Sequence, residues 1–215
     1  MSILSIGMSF AQPKEGYIAY TIDVSSEDPD MAMSVAMFNG SKMELYFDGD
    51  KARTELDFGA LMSMTTVINS KTDEVIILTG GMMGNNAVLT TSKEMEVDED
   101  VIPESTVTLK KDKKTILGYK CKKAIITGAD GNETVYWYTD KISAISTDKT
   151  SSISQLPGMP LEYAVDRDGM VMTFIATIIE LKLDEAAKAS KFSFTIPEGY
   201  EKMTYEELSS GMGGN

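Results

Sequence analysis

The sequence predicts a β-dominated α+β domain: a curved antiparallel sheet with a few short helices. Three observations predict it: short runs of alternating apolar and polar residues, tight-turn residues between the runs, and few segments with helical periodicity. Turn-sized connections favour antiparallel pairing, because parallel neighbours need a longer crossover that is usually a helix. The length of 215 residues fits a single domain.

The alternating runs give the individual strands. Strands are predicted at 17–24, 43–47, 52–58, 61–69, 74–79, 87–91, 106–109, 115–117, 119–127, 133–139, 161–165, 170–182 and 192–196. The clearest turn is Asp48-Gly49-Asp50, and the lysine-rich residues 110–114 are predicted to form another. Residues 31–38 fit a helix or a strand, whereas 184–190 and 204–209 predict short helices. The length of run 170–182 favours a strongly bent, partly closed barrel over a sandwich.

The N-terminal residues predict export. Residues 3–11 are apolar or small, and Ser9-Phe10-Ala11 fits signal cleavage after Ala11, although the stretch is short and lacks a basic start. A truncated signal segment over 1–11 is therefore expected, followed by one domain over 12–209 and a flexible tail over 210–215. The alternative for 1–11 is an N-terminal strand or a disordered extension. The expected location is the periplasm.

Composition excludes several classes of function. A net charge of −13 repels phosphate backbones, so nucleic acid is not an expected partner. The complete absence of histidine removes Ser-His-Asp and Cys-His nucleophile systems and histidine-bound zinc. A single cysteine excludes an intrachain disulfide. No later segment is long and apolar enough for a membrane span. The chain is therefore expected to be no enzyme, with no catalytic residues, cofactor or metal.

Three segments carry a family resemblance: residues 115–124, 135–141 and 156–163. In this order they resemble exported Bacteroidota proteins of unknown function with a LolA/LppX-like half-barrel. A related group is named for a Gly-Leu-Pro-Gly-Leu-Ile motif, which this chain matches only in Leu156-Pro157-Gly158. The resemblance implies an 11-stranded half-barrel closed by helices around an apolar cavity for acyl chains or lipids.

Methionine is the compositional outlier, with 16 residues and three Met-x-Met pairs. On a strand, each pair projects to one face. Three interpretations remain open: core packing, a deformable wall around an apolar ligand, and Cu(I) binding by soft thioethers. The pairs are Met31/Met33, Met62/Met64 and Met170/Met172.

The functional hypothesis is non-catalytic binding of a hydrophobic small molecule or lipid in the half-barrel. Its predicted cavity lining is Met62, Met64, Trp137, Met170, Met172 and Phe174. The alternatives are an envelope interaction module with a protein partner, and copper binding.

Smaller features have mainly structural interpretations. Cys121 is predicted to be a buried small hydrophobe, because no base is available to form a thiolate. The acidic run 94–100 is predicted to be a solvated linker, and the glycine-rich loop 80–86 a lip or an ordinary loop. Seven lysines between 110 and 123 either protect a sheet edge from pairing or contact anionic head groups or a partner.

Overall fold

The strands dominate the computed structural model, which describes residues 12–82, 84–95, 105–129, 131–145, 152–167 and 169–212. These residues form twelve strands: β1 Glu15–Ser25, β2 Lys42–Asp48, β3 Lys51–Asp57, β4 Met62–Asn69, β5 Glu74–Gly81, β6 Asn86–Thr91, β7 Thr106–Ile116, β8 Tyr119–Thr127, β9 Glu133–Thr139, β10 Met159–Arg167, β11 Met170–Glu180 and β12 Glu201–Lys202. The helices are α1 Ala32–Met37, α2 Glu185–Lys191 and α3 Tyr205–Met212. The predicted fold class is confirmed.

All twelve strands belong to one open, curved sheet. Its order is β12-β6-β5-β4-β3-β2-β1-β11-β10-β9-β8-β7. Strands β1 to β6 form one antiparallel meander and β7 to β11 a second, and the pairing of β1 with β11 joins them. The sheet is mixed rather than wholly antiparallel, because the two-residue strand β12 runs parallel to β6.

One face of the sheet, here called the aromatic face, carries the largest cluster of buried side chains. Tyr163 lies between Tyr136 and Phe174, with ring centroids 5.3 and 4.6 Å away, and Tyr20 meets its edge at 6.4 Å. The hydroxyl of Tyr20 donates to the carbonyl of Pro160, so its burial leaves no unpaired donor. Aromatic rings of this size contribute much of the apolar area that stabilises such a core.

The other face, here called the opposite face, is covered by the chain that follows β11. Val67 and Ile76 pack there against Leu183 and Phe192, which lie immediately before and after α2. The chain then passes β6 as strand β12 and reaches the aromatic face, where Leu208 of α3 packs on β3 to β6. The C-terminal segment therefore wraps the β6 edge and contacts both faces.

Two local predictions were wrong. Residues 110–114 do not form a turn: β7 is continuous, with a register shift between Leu109 and Lys113, and the chain reverses at Leu117-Gly118. A bulge accommodates the extra residues without ending the strand. Residues 192–196 are not a strand, because their apolar side chains pack on the opposite face from an irregular segment.

The remaining predicted elements lie close to their expected positions. Segment 31–38 resolves into a 3-10 turn, Pro29–Met31, followed by α1. Helix α3 extends to Met212, beyond the expected domain end at 209. The predicted signal segment 1–11 and most of the acidic run lie outside the described residues.

Candidate ligand-binding cleft

A cleft of about 690 Å³ lies between α1 and the adjoining ends of β1 and β2. Its apolar walls are formed by Ile22 and Val24 of β1, Val35 of α1, and Phe38 just after α1. Its volume falls in the range of about 300–1,000 Å³ typical of small-molecule sites. The walls suit an apolar ligand group.

The C-terminal end of α1 is joined to the sheet by a tight turn whose residues also line the cleft. Phe38 and Asn39 end the helix, and Gly40 takes a φ of +81°, which a residue without a Cβ adopts easily. The buried Ser41 then ties the helix to the sheet. Its amide and hydroxyl donate to the Phe38 carbonyl, and its carbonyl accepts from the Ile22 amide at 3.0 Å.

Helix α1 is apolar but buries none of its residues fully. Met33 and Met37, one turn apart, are 79% and 52% exposed. An apolar helix normally buries a continuous stripe. Because α1 does not, its Val35 side remains available to a ligand.

Polar groups lie at the rim of the cleft. Asp23 and Lys42 belong to its lining, and Lys42 also forms an exposed 3.5 Å ion pair with Asp57. Strand alternation directs the side chains of Asp23 and Lys42 to the face opposite to Ile22 and Val24, so the lining combines apolar walls with polar residues of the same strand ends. Phe38, which contributes to the apolar wall, packs edge-on against Phe58 with the ring centroids 5.5 Å apart.

None of the six residues predicted from the sequence lines this cleft. Met62, Met172 and Phe174 belong to the large cluster on the aromatic face, and Met64 packs against the neighbouring cluster under α3. Met170 begins β11 at an intermediate exposure. The strand registers place these five residues on the same face of the sheet. Their role as a lining stays a prediction.

Trp137 does not share that face. Its neighbour Tyr136 pairs with Tyr163 on the aromatic face, so Trp137 projects to the other side. There the ammonium group of Lys114 lies 4.6 Å from the indole centroid, and that of Lys123 lies at 6.0 Å. Trp137 thus leaves the sheet on the other side from the methionines, and it also packs against the same large cluster as Met62, Met172 and Phe174.

The cysteine prediction is confirmed. Cys121 is completely buried, and burial raises the pKa of its thiol against the opposing effect of nearby Lys114. Such a thiol is a poor nucleophile at neutral pH. Among the described residues, no three acidic or cysteine side chains form a group able to hold a metal ion. No helix within the described ranges is long and apolar enough to cross a membrane.

Sequence reasoning missed the cleft because its walls come from three elements whose proximity depends on tertiary structure. One signal was present. The run Met31 to Phe38 is apolar almost throughout, with Ser34 as its only polar residue. A six-residue helix of this composition must either be buried or present apolar surface.

Known proteins resemble this chain in fold and in family. A solved structure of PNGF-II is similar over 92% of this chain, with 17% identity and a TM-score of 0.50. A LolA superfamily protein from Nitrosomonas europaea aligns over 81% of this chain and 90% of its own, with 8% identity and a TM-score of 0.23. No curated protein sequence matches.

The PNGF-II chain is much longer than this one, which spans only 32% of it. The family model described as "N-glycanase peptide, N-terminal domain" matches residues 61–207. That range includes the three segments that carried the sequence resemblance. It covers more than half of the chain, and the chain therefore belongs to the family of N-glycanase N-terminal domains.

Proposed function

We propose that this domain is a non-catalytic binding module whose cleft under α1 takes an apolar group, such as an acyl chain. The observation that carries the proposal is an apolar helix that buries none of its own residues beside a cleft of about 690 Å³. Burial of ligand surface against Ile22, Val24 and Val35 would supply the affinity, at about 25 cal/mol per Å². Export to the periplasm, expected from residues 1–11, is part of this proposal.

A non-catalytic role is supported by the residue inventory. The chain has no histidine to act as a base, and its single thiol is buried. Carboxylates are abundant, but general acid-base work needs a pair whose pKa values differ in a shared site. The carboxyl groups with resolved pKa shifts, Glu55, Asp140 and Glu207, are all shifted downward and are each held by a different partner.

Titration with a dansyl-labelled fatty acid tests the proposal. We expect saturable binding to the full chain, weakened about tenfold by Val35→Gln, because the variant removes apolar surface from the cleft wall. Met33→Gln is the matched control: it lies on the same helix, is exposed and does not line the cleft, so its affinity should equal that of the wild type. Equal binding by wild type and Val35→Gln would contradict the proposal.

A photoreactive fatty acid distinguishes the cleft from the lining predicted by sequence. Crosslinks within 21–42 support the α1 cleft. Crosslinks to 62–64 or 170–174 would instead support a lining formed by the methionines and Phe174. Absence of any specific crosslink would argue against a fatty-acid ligand altogether.

The family membership favours a second candidate: a module that accompanies glycan-cleaving enzymes and helps to recognise their N-glycosylated substrates. The family is named for N-glycanases, and the similar PNGF-II chain is about three times longer, so the domain occurs beside other domains. Isothermal titration with an N-glycopeptide and with its deglycosylated form tests this candidate. Heat from the glycosylated form alone would support it, and heat from neither form would contradict it.

A further inference from the structure

The β7–β8 hairpin concentrates positive charge in an acidic protein. Residues 110–123 contain seven lysines and one aspartate, a net charge of +6, in a chain whose total is −13. Within the described part of the chain, β7 is the last strand of the sheet. The lysines therefore lie at one open edge of the sheet. The C-terminal segment covers the other edge, at β6.

Few of these charges are neutralised by the fold. Lys114 pairs with Glu162 at 2.5 Å, and Lys122 pairs with Asp140 at 2.7 Å. Among the described residues, no ion pair involves Lys110, Lys111, Lys113 or Lys120. Lys113 also lies directly across from Lys122 in the strand register, an arrangement of like charges that weakens a strand pair.

The turn of the hairpin has an unexpected residue at its tip. Leu117 has a φ of +48° and Gly118 a φ of +82°. A two-residue turn with both φ values positive favours Asn-Gly or Asp-Gly, because a left-handed backbone is unfavourable for leucine. Packing does not fully compensate, since Leu117 is 47% exposed. Strained backbone positions of this kind cluster at functional sites, so Leu117 is a candidate for contact with a partner surface.

The hairpin end extends past the part of β8 that pairs with β9. Strand β8 pairs with β9 only from Lys122 to Thr127, whereas residues 115–120 pair only within the hairpin. Ile116 and Tyr119 pack against the large buried cluster, so the outward part of this arm is the exposed Leu117 with its flanking lysines. Such an arm offers little area for a protein partner, which typically contributes about 800 Å². It fits the interface of a bilayer, where apolar tips enter and lysines meet anionic head groups.

From these four features we propose that the β7–β8 hairpin end docks the protein onto an anionic lipid surface, with Leu117 in the interface. The overall negative charge does not prevent this, because charges beyond the Debye length of about 8 Å are largely screened at physiological salt. The proposal is independent of the cleft under α1.

Co-sedimentation of the full chain with vesicles tests the proposal. Vesicles of phosphatidylcholine alone are compared with vesicles that also contain phosphatidylglycerol. We expect binding only to the anionic vesicles, and its loss at raised salt. Lys113→Gln/Lys120→Gln should weaken binding about fivefold per lysine. Leu117→Asn should weaken it about fivefold to tenfold, and it should fold at least as stably, because asparagine tolerates the left-handed turn.

Matched controls remove the same chemistry elsewhere. Leu89→Asn replaces an equally exposed leucine on β6, and Lys51→Gln/Lys71→Gln removes two exposed lysines of the other meander. Both should bind like the wild type. Equal binding to neutral and anionic vesicles, or unchanged binding by Leu117→Asn, would overturn the proposal. Binding to poly-glutamate without binding to vesicles would also overturn it and assign the patch to an acidic polypeptide.

Discussion

Helices α1 and α2 are both short, and neither fully buries a residue, yet they are attached to the sheet in different ways. The apolar α1 is anchored mainly through the residues that follow it, and it leaves a cleft beneath. The polar α2 is fastened by charge: Lys188 pairs with Glu15 at 2.5 Å, and Lys191 pairs with Glu55 at 2.8 Å. In this protein the apolar helix is the loosely held one.

The attachment of α2 is a connected network on the opposite face. Glu55 also accepts from Arg53, which in turn donates to the Lys191 carbonyl. The Lys191 ammonium group lies 4.2 Å from the ring centroid of Tyr46, which stacks on Tyr17 at 4.7 Å. Burial, with the neighbouring carboxylate of Glu44, raises the pKa of both tyrosines. The Tyr46 ring therefore stays neutral where it contacts the Lys191 ammonium group.

The largest difference between the helices should appear at the aromatic residue that ends each one. Phe192 ends α2 and is 6% exposed against Val67 and Ile76, so Phe192→Ala should lower the free energy of unfolding by about 3–5 kcal/mol. Phe38 ends α1 and is only partly buried, so Phe38→Ala should lower it by about half as much. Urea unfolding of both variants gives the comparison. Equal losses would contradict the idea that α1 is held more loosely.

The ion pairs should give a smaller effect. Glu55→Gln removes the charge that meets Arg53 and Lys191, and we expect a loss of about 2 kcal/mol at neutral pH. Asp57→Asn is the control, because its pair with Lys42 is exposed and should contribute less than about 1 kcal/mol. Chemical denaturation at low and high salt measures both. A loss for Glu55→Gln no larger than that for Asp57→Asn would show that the network contributes little.

The same network should respond to acid. Burial alone would raise the pKa of Glu55, but the hydrogen bond from Lys191 and the charge of Arg53 outweigh it, so the pKa lies below its usual 4.5. The contribution is therefore complete above pH 4.5 and is lost as the pH falls through the lower folded-state value. The stability difference between wild type and Glu55→Gln should shrink over that window. A difference that is constant with pH would mean that the Glu55 charge does not stabilise the fold.

The smallest effect on stability is expected on the outside of α1. Met33→Gln/Met37→Gln changes two exposed side chains and should alter the unfolding free energy by less than about 0.5 kcal/mol. Thermal and urea unfolding measure it. A clear loss of stability would contradict the exposed placement of these two methionines.

Much of the fold follows from local signals. Alternation and turn residues located the β2–β3, β4–β5 and β8–β9 hairpins, because each depends on contacts between neighbours in sequence. The errors at 110–114 and 192–196 have a different origin. The composition of the lysine run is typical of a turn, but a bulge accommodates these residues within the continuous strand β7. Residues 192–196 alternate like a strand, but the side chains pack on a sheet that has no free edge there.

The candidate sites were less predictable than the fold. Alternation correctly placed Met170, Met172 and Phe174 on one face of their strand, because side-chain direction has a period of two along a strand. Alternation within one strand could not relate the faces of different strands. The pairing of β9 with β10 was needed to show that Trp137 projects to the other side of the sheet. The cleft required knowledge of how far α1 lies from β1, and no local pattern encodes that distance.

The sheet order gives β1 a special status. This strand bonds to β2 on one side and to β11 on the other, so partners such as Tyr17 and Glu180 come from opposite ends of the chain. Bringing residues so far apart in sequence together is slow. We therefore expect the two meanders to form first and the β1–β11 pairing to form last. Loss of the first strand would create two unsatisfied borders in the middle of the sheet at once. Deletion of the residues before 26 should therefore separate the two meanders, each with an unpaired edge strand that is prone to aggregation.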